Sequence, residues 1–455
     1  MKEKTVINGP VYDARTLGTP RMLVLGLQHM FAMFGATVLV PILTGLDIAT
    51  TLLFAGLGTL LFHLLTQRKV PAFLGSSFAF IGGYNAIRTI GIDAAGKPIY
   101  NNDLLVYACF GVACAGLMYV ILSILFKSFG VKKVMKFFPP IVTGPIIISI
   151  GLILSSSAIN NCSENWIVAI VAILIVIYFN IWGKGMTKII PILLGVIGSY
   201  VISMIVDPAS RMAVVEKVAA AKWFGLPIVW ENSVFHLFNM DVDTGMLLSA
   251  FFTIVPLSLA TMVEHIGDVC AISSTVGKNY VADPGLHRTL LGDGLATTLA
   301  ALFGAPANTT YGENTGVLAL SKVYDPRVIR IAACFAIIFS FSPKFAALIT
   351  AMPVATIGGI SLILYGMISA VGVRNVVENK VDFTNSRNVI VAALILVLAI
   401  GINYSVGSIQ IGIVSLSGLA VASLVGIAVN AILPGKDYEF GVDEQGDTSV
   451  NFIVR

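Results

Sequence analysis

The stretch Asn308-Thr309-Thr310-Tyr311-Gly312-Glu313-Asn314-Thr315-Gly316 is too polar and too irregular for a plain membrane helix, yet apolar sequence flanks it on both sides. A second such stretch, Gly75-Ser76-Ser77-Phe78-Ala79-Phe80-Ile81-Gly82-Gly83, stands earlier in the chain. Each follows an apolar segment of related pattern, Gly294-Leu295-Ala296-Thr297-Thr298-Leu299 before the later one and Gly56-Leu57-Gly58-Thr59-Leu60-Leu61 before the earlier. The pairs read as an internal repeat offset by roughly 240 residues, the kind of duplication on which many secondary transporters are built. Irregular backbone is tolerated at membrane depth only where it is buried in protein or lines a cavity. Both stretches are therefore candidate walls of a substrate site, with Ser77 among the candidate contacts; the alternative is a pair of close helix crossings lined by Gly and Ser.

The surrounding composition sets the solvent. Of 455 residues 57% are hydrophobic and 11% charged, whereas a soluble domain carries roughly a quarter charged residues. That excludes a water-soluble globular protein and a nucleic-acid binder. A span needs about 20 apolar residues. Spans are predicted near 22–43, 50–66, 72–91, 104–126, 138–158, 165–182, 188–206, 246–268, 288–303, 308–321, 327–342, 346–370, 387–403 and 408–432. With the N-terminus inside, only Arg88, Lys97, Arg211, Lys217, Lys222 and Lys344 of the 28 basic residues fall on the outer side, as the positive-inside rule requires. Cytoplasmic clusters include Arg68-Lys69, Lys127 with Lys132, Lys133 and Lys136, and Lys322 to Arg330. Fourteen spans in two repeats give seven each, an odd number, so the second copy is inverted.

The first span begins near Met22 after Lys2, Lys4, Arg15 and Arg21, so no cleavable signal peptide is expected. Both termini, including the polar tail from Lys436, are expected in the cytoplasm. An Ala-rich part of the outer segment 207–245 fits the membrane interface. Five cysteines, odd in number and scattered through apolar sequence, read as packing residues. With neither Cys/His spacing nor clustered histidines, no metal site and no cofactor is expected.

Ionisable residues at membrane depth are functional candidates because burying them is costly. Glu264 and Asp268, in Met262-Val263-Glu264-His265-Ile266-Gly267-Asp268, lie one turn apart on one helix face. Glu313 stands where a half-helix would begin after the Thr-Thr-Tyr-Gly run. Two carboxyl groups from opposite repeats can bind a small polar ligand and hold a proton. Asp268 is expected to tune Glu264 through a shared proton or water. His265, adjacent to Glu264, points elsewhere and suits packing or a helix–helix hydrogen bond. His29, inside the first span, suits cross-helix bonding or a proton path. Asp293, with glycine on both sides, suits close packing or polar support.

At this point the residues match a family. Glu313-Asn314-Thr315-Gly316-Val317-Leu318-Ala319-Leu320-Ser321-Lys322 resembles the signature of the nucleobase-ascorbate transporters, (Gln/Glu/Pro)-Asn-x-Gly-x4-Thr-(Arg/Lys/Gly), with Ser321 for the usual Thr. The likeness extends, in order, to Gln28-His29 through Pro41, Gly75 to Phe80, Glu264-His265-Ile266-Gly267, Asp283-Pro284-Gly285-Leu286-His287-Arg288 and Asn308 to Gly316. Glu opening the signature, and Phe31-Ala32-Met33-Phe34-Gly35-Ala36-Thr37, look most like the bacterial members that carry uracil.

The resemblance implies an all-α polytopic protein with fourteen transmembrane spans in two inverted seven-span repeats, and short β-strands in broken spans 3 and 10. It implies a core domain from 1–135 and 246–343, a gate domain from 136–245 and 344–435, and a cytoplasmic tail at 436–455. Carried over by position, the uracil contacts are the carboxylates of Glu264 and Glu313 and the backbone amides of Phe78 and Gly312. Ala36, Tyr311 and Tyr365 line the pocket. Glu264, Asp268 and His29 are the expected proton-coupling residues, with Asp268 standing where uracil-carrying members have His. Proton-coupled uracil import through the inner or plasma membrane is the implied activity, by a homodimer, with xanthine or uric acid as the alternative substrate. The chemistry agrees: uracil offers two N–H donors and two carbonyl acceptors, suited to carboxylates and half-helix amides. Spans 1, 3, 8 and 10 carry no Lys or Arg except Arg88 near an end, which argues against an anionic substrate. A channel would need a continuous polar stripe. An intramembrane aspartyl protease would need Gly-x-Gly-Asp, which neither Asp268 nor Asp293 satisfies.

Overall fold

Prolines divide the two polar stretches from the helices before them, at Pro71 and Pro306, and bias the preceding residue toward extended backbone. In the computed structural model, which describes residues 9–92, 98–130, 139–411, 414–435, 438–442 and 450–454, each stretch begins as a strand. Lys2, Lys4, Lys97, Lys132, Lys133 and Lys136, the 135/136 boundary and the start of the tail at Lys436 lie outside the described residues.

Every predicted span contains a helix. The first half holds α1 (Thr19–Thr44), α2 (Ile48–Leu65), β1 (Leu74–Ser76), α3 (Ile81–Arg88), β2 (Thr89–Ile92), β3 (Pro98–Tyr100), α4 (Leu105–Phe129), α5 (Pro140–Ser163), α6 (Trp166–Trp182), α7 (Pro191–Val206) and α8 (Pro208–Ala220). The second holds α9 (Thr244–Ile254), α10 (Leu257–Val276), α11 (Leu286–Leu302), β4 (Asn308–Thr310), α12 (Gly312–Ser321), α13 (Pro326–Ser340), α14 (Pro343–Thr350), α15 (Val354–Glu378), α16 (Ser386–Ser405), β5 (Ser408–Ile411), β6 (Val414–Ser417), α17 (Gly418–Ile432), β7 (Tyr438–Val442) and β8 (Val450–Val454). Among the described residues, seven helices are long and apolar enough to cross a bilayer, or up to nine if each of two bent pairs counts as one span. The chain is a helical, multi-pass membrane protein.

Helix faces follow the solvent. On α6 the small residues Ala169 and Ala172 with Val168 and Val176 are buried, while Ile167, Leu174, Tyr178 and Ile181 are exposed. In water so apolar an outer face would aggregate; against lipid it needs no cover. Small residues instead carry the helix contacts. A Cβ at Gly294 would lie 2.6 Å from the carbonyl of Gly116 and 2.4 Å from Cβ of Tyr119, so α4 and α11 cross with backbones in direct contact. Helices α1, α2, α4 and α13 pack with α11 or with one another, whereas α5, α6 and α7 pack with α15, and α16 with α5 and α17.

The strands β1 and β4 pair antiparallel, Leu74 with Thr310 and Ser76 with Asn308, and the ladder continues through Ser77 N–H to Ala307 (2.8 Å) and Tyr311 N–H to Phe73 (3.1 Å). The repeated Gly-x-x-Thr pattern serves this crossing. Thr59 on α2 accepts from Leu74 N–H (2.9 Å) and donates to the Leu74 carbonyl (3.2 Å), and Thr297 on α11 donates to the Asn308 carbonyl (2.6 Å). Asn308 in turn donates to the Phe54 carbonyl at 2.9 Å. Polar backbone in a fully buried place is thereby satisfied by two threonine hydroxyls from the flanking helices, while the Asn308 side chain ties β4 back to α2.

Two predicted spans begin differently. Span 346–370 starts as a helix only at Val354, because Pro343 and Pro353 bracket the separate helix α14, bent by 87° from α13. Span 408–432 opens as the hairpin β5–β6 rather than as helix, following Gly407 at φ +74°. In the tail, Tyr438–Val442 pairs antiparallel with Val450–Val454, an alternation missed in so polar a segment. On one membrane face the N-terminal segment is stitched to the start of α13: Val11 bridges Val323, and Asp13 meets Arg327 at 2.9 Å. The hydrogen bond from Arg15 holds the Asp13 carboxyl down to about 2, so this pairing stays charged at neutral pH.

Candidate substrate site

The β1–β4 crossing aims both chain halves at one place. Beyond β1 a short turn over Phe78–Phe80 leads into α3, and beyond β4 Tyr311 leads directly into α12 at Gly312. The first amides of such helices have no intrahelical partner and form a partial positive charge. Gly312 faces α10, where a Cβ would stand 3.5 Å from the carboxylate of Asp268.

Asp268 accepts a hydrogen bond from the Thr310 hydroxyl at 2.9 Å, so the last strand residue fixes it to β4. Glu264, one turn earlier on α10, is only partly buried. Glu313 is the second residue of α12, and Ala36 lies within α1; their side chains lie outside the described atoms. Tyr311 is fixed at both ends of its hydroxyl, donating to the Ser76 carbonyl (2.7 Å) and accepting from Thr37 (3.2 Å). Its ring occupies the space beside Gly75, where a Cβ would be 2.5 Å from the ring and 2.6 Å from the Thr37 hydroxyl. Only glycine fits there. Tyr365 of α15 is buried and meets the Phe78 ring edge-on, centroids 6.3 Å apart. That contact joins α15 to the turn before α3. The Ser77 hydroxyl, also buried, has no hydrogen-bond partner among the described residues.

His29 is fully buried on α1. The side-chain amide of Asn314 donates to its carbonyl (3.1 Å) and lies 3.2 Å from Nδ1. An amide donor at Nδ1 places the ring proton on Nε2. The histidine therefore anchors α12 to α1.

Sequence reasoning under-read one group. His265 Nδ1 lies 3.1 Å from Asp293 of α11, both fully buried, and 3.3 Å from the Thr310 hydroxyl. Neither carboxylate oxygen of Asp293 makes a hydrogen bond of good geometry among the described residues, so its contact with His265 is one of proximity, and the Phe62 ring covers the imidazole edge-on. Asp268, Thr310, His265 and Asp293 thus form one continuous polar chain leading from the site into the α10–α11 contact. Asp293 between two glycines, and His265 beside Glu264, were the signals; their pairing is tertiary. Thr310 and Thr37 sit in quoted stretches but carry no charge to single them out.

A model of the permease family that includes the xanthine and uracil permeases matches residues 20–407. The chain belongs to that family, the nucleobase-ascorbate transporters. Its membership makes it a membrane transporter rather than an enzyme. Among relatives, a uracil permease of Bacillus caldolyticus is 39% identical, over 94% of this chain and 96% of its own. The uracil permease of Bacillus subtilis is also 39% identical, over 93% and 94%. That of Escherichia coli K12 is 36% identical over 90% of each. Among solved structures, the transmembrane domain of the cyanobacterial bicarbonate transporter BicA superposes with a TM-score of 0.57 at 13% identity, covering 93% of this chain and 99% of that one. SLC26A9 gives 0.60 at 12% identity, over 92% and 66%. These two are similar in fold alone.

Proposed function

We propose that the protein is a proton-coupled uracil symporter of the cytoplasmic membrane. The observation that carries this is the β1–β4 crossing, which brings the starts of α3 and α12 to a site beside the carboxylates of α10, in a chain whose full-length relatives are uracil permeases. Uracil would offer its N–H groups to Glu264 and Glu313 and accept through its oxygens from the amides of Phe78 and Gly312. Ala36, Ser77, Tyr311 and Tyr365 enclose the ring. The core, residues 1–135 and 246–343, moves against the gate, 136–245 and 344–435, with Phe78 against Tyr365 as one contact across that boundary. Fourteen crossings in two inverted sevens, cytoplasmic termini and a homodimer through the gate complete the proposal. Uptake of labelled uracil by a transport-deficient cell tests it: uracil must saturate uptake and outcompete xanthine and uric acid. Uptake driven by a purine instead would overturn the substrate.

Topology has its own check. Cysteine at Lys127 is expected to react with an impermeant maleimide only from the cytoplasm and cysteine at Asp103 only from outside, since α4 separates them by about 35 Å of helix. Labelling of both from one side ends the fourteen-span arrangement.

Proton coupling is assigned to Glu264 and Asp268, with His29 holding α12 on the same route. Asp268→Asn is expected to shift the pH dependence of uptake while equilibrium uracil binding stays within a few-fold, because the Thr310 hydroxyl can still donate to the amide oxygen. If binding is lost and the pH profile is unchanged, the roles of Glu264 and Asp268 are reversed. Uptake that follows a sodium gradient and ignores pH removes proton coupling altogether.

A further inference from the structure

Two helices do not run with the others. The axis turns by 113° between Pro191–Val206 and Arg211–Ala220, and by 87° between α13 and α14. With α7 and α13 crossing the bilayer, α8 and α14 lie close to its plane, on the face opposite the stitched N-terminal segment. They pack on each other: Lys217 Nζ donates to the Thr350 carbonyl at 3.2 Å, and Val214 and Ile349 are buried in one cluster. Each belongs to a connection between helix groups, α8 between α7 and α9, α14 between α13 and α15.

Where the two connections meet, the chain forms a short clasp. Lys344 N–H donates to the Lys222 carbonyl (3.0 Å) and Gly225 N–H to the Phe341 carbonyl (3.0 Å). Phe224 stacks on Phe341 with centroids 5.6 Å apart, and the Lys344 ammonium stands 4.5 Å over the Trp223 ring. Outside the clasp the surface is apolar: Trp223, Phe224 and Leu226 are 78%, 71% and 84% exposed. Neither lysine has an ion-pair partner among the described residues. The Lys344 ammonium over the exposed Trp223 ring, with Lys222 tied to Lys344 through the backbone at the ends of in-plane helices, matches a phospholipid on both counts: a phosphate for the cations and acyl chain for the rings. Trp at headgroup depth is the usual interfacial anchor, and a clustered pair of lysines favours an anionic headgroup.

We propose that this clasp is a binding site for an anionic phospholipid, its phosphate between Lys222 and Lys344 and its acyl chains against Trp223, Phe224 and Leu226. The site rests on membrane insertion and is independent of which substrate the transporter carries. Occupied, it holds both connections at the headgroup level, where movement of one helix group against the other must bend them.

Full-length protein with Trp166, Trp182 and Trp230 changed to Phe, in phosphatidylcholine nanodiscs, leaves Trp223 as the one indole. Brominated phosphatidylglycerol added as a minor component is expected to quench Trp223 several-fold more than the same amount of brominated phosphatidylcholine, and Lys222→Gln/Lys344→Gln is expected to erase the difference. Equal quenching by the two lipids, or a preference that survives the double substitution, overturns the headgroup site. No quenching by either overturns contact with lipid and means the face is covered by protein. Native mass spectrometry of the wild-type chain against K222Q/K344Q gives a second readout that keeps all tryptophans: retention of phosphatidylglycerol by the wild type alone is expected, and equal retention overturns the proposal. Because uracil uptake is measured separately, failure here leaves the substrate assignment standing.

Discussion

Glu313→Gln is expected to weaken uracil binding about 10- to 150-fold. A hydrogen bond to a charged group at a buried site contributes about 1.5–3 kcal/mol net, and that range converts to this loss of affinity. The position makes the loss specific. Glu313 is the second residue of α12, next to Gly312, whose missing Cβ would fall 3.5 Å from Asp268. A carboxylate there accepts only, whereas the Gln amide turns a donor toward a substrate N–H in one of its two orientations. Helix start and strand crossing are unaffected, because β4 and the Tyr311 bonds to Ser76 and Thr37 precede it. Titration of purified protein with uracil measures the change directly, with circular dichroism as the check on folding. Unchanged affinity takes Glu313 out of the site.

Asp293→Ala is expected to have the largest effect on stability. The substitution leaves His265 buried in the α10–α11 contact without its acidic neighbour, and leaving a buried polar group unsatisfied typically costs about 1–3 kcal/mol. Both side chains are fully buried, so the remaining ring is not exposed to bulk solvent. The measurement is the midpoint of thermal unfolding in detergent or the yield of monodisperse protein. The double variant Asp293→Leu/His265→Phe is expected to recover most of the stability, because replacing both partners with apolar groups removes the desolvation penalty with the attraction. A single variant as stable as wild type would show that the His265–Asp293 contact does not stabilise the fold. A stable double variant that still transports would confine the pair to architecture, and one that binds uracil without pH-dependent uptake would tie it to the proton route.

What the sequence revealed and what it hid follow from where the information lies. The polar stretches at 75–83 and 308–316 were legible because polar, Gly-rich backbone has few places to go in a bilayer, and the Gly-x-x-Thr repeats before them marked the threonines that tie the strands down. Helices such as α2 and α4 were legible from unbroken apolar length. The starts of α14 and the β5–β6 hairpin were not, since hydropathy averages over a bend and cannot tell a helix in the membrane plane from one across it. Pro343 and Pro353 carried that signal. At the candidate site, single charged residues stood out against an apolar background, which is why Glu264, Asp268 and Glu313 were singled out. The uncharged groups around them did not stand out: Thr310 holds Asp268 from 42 residues away, Thr37 holds Tyr311 from 274 and Asn314 holds His29 from 285.

That distance matters while the protein is being made. Ser76 and Tyr311 are joined across 235 residues, and among the described residues β1 has its ladder partner in β4 alone. At about 5–20 residues per second the ribosome needs roughly 10 to 50 seconds to deliver the second strand after the first. Throughout that interval, among the described residues of its own half, the backbone of Leu74 to Ser76 has Thr59 alone to satisfy it, so the third segment cannot settle in hydrocarbon as a finished element. It must wait at the translocon or against water, and a nascent chain released before Asn308 emerges carries an unpaired strand edge that no later step can close.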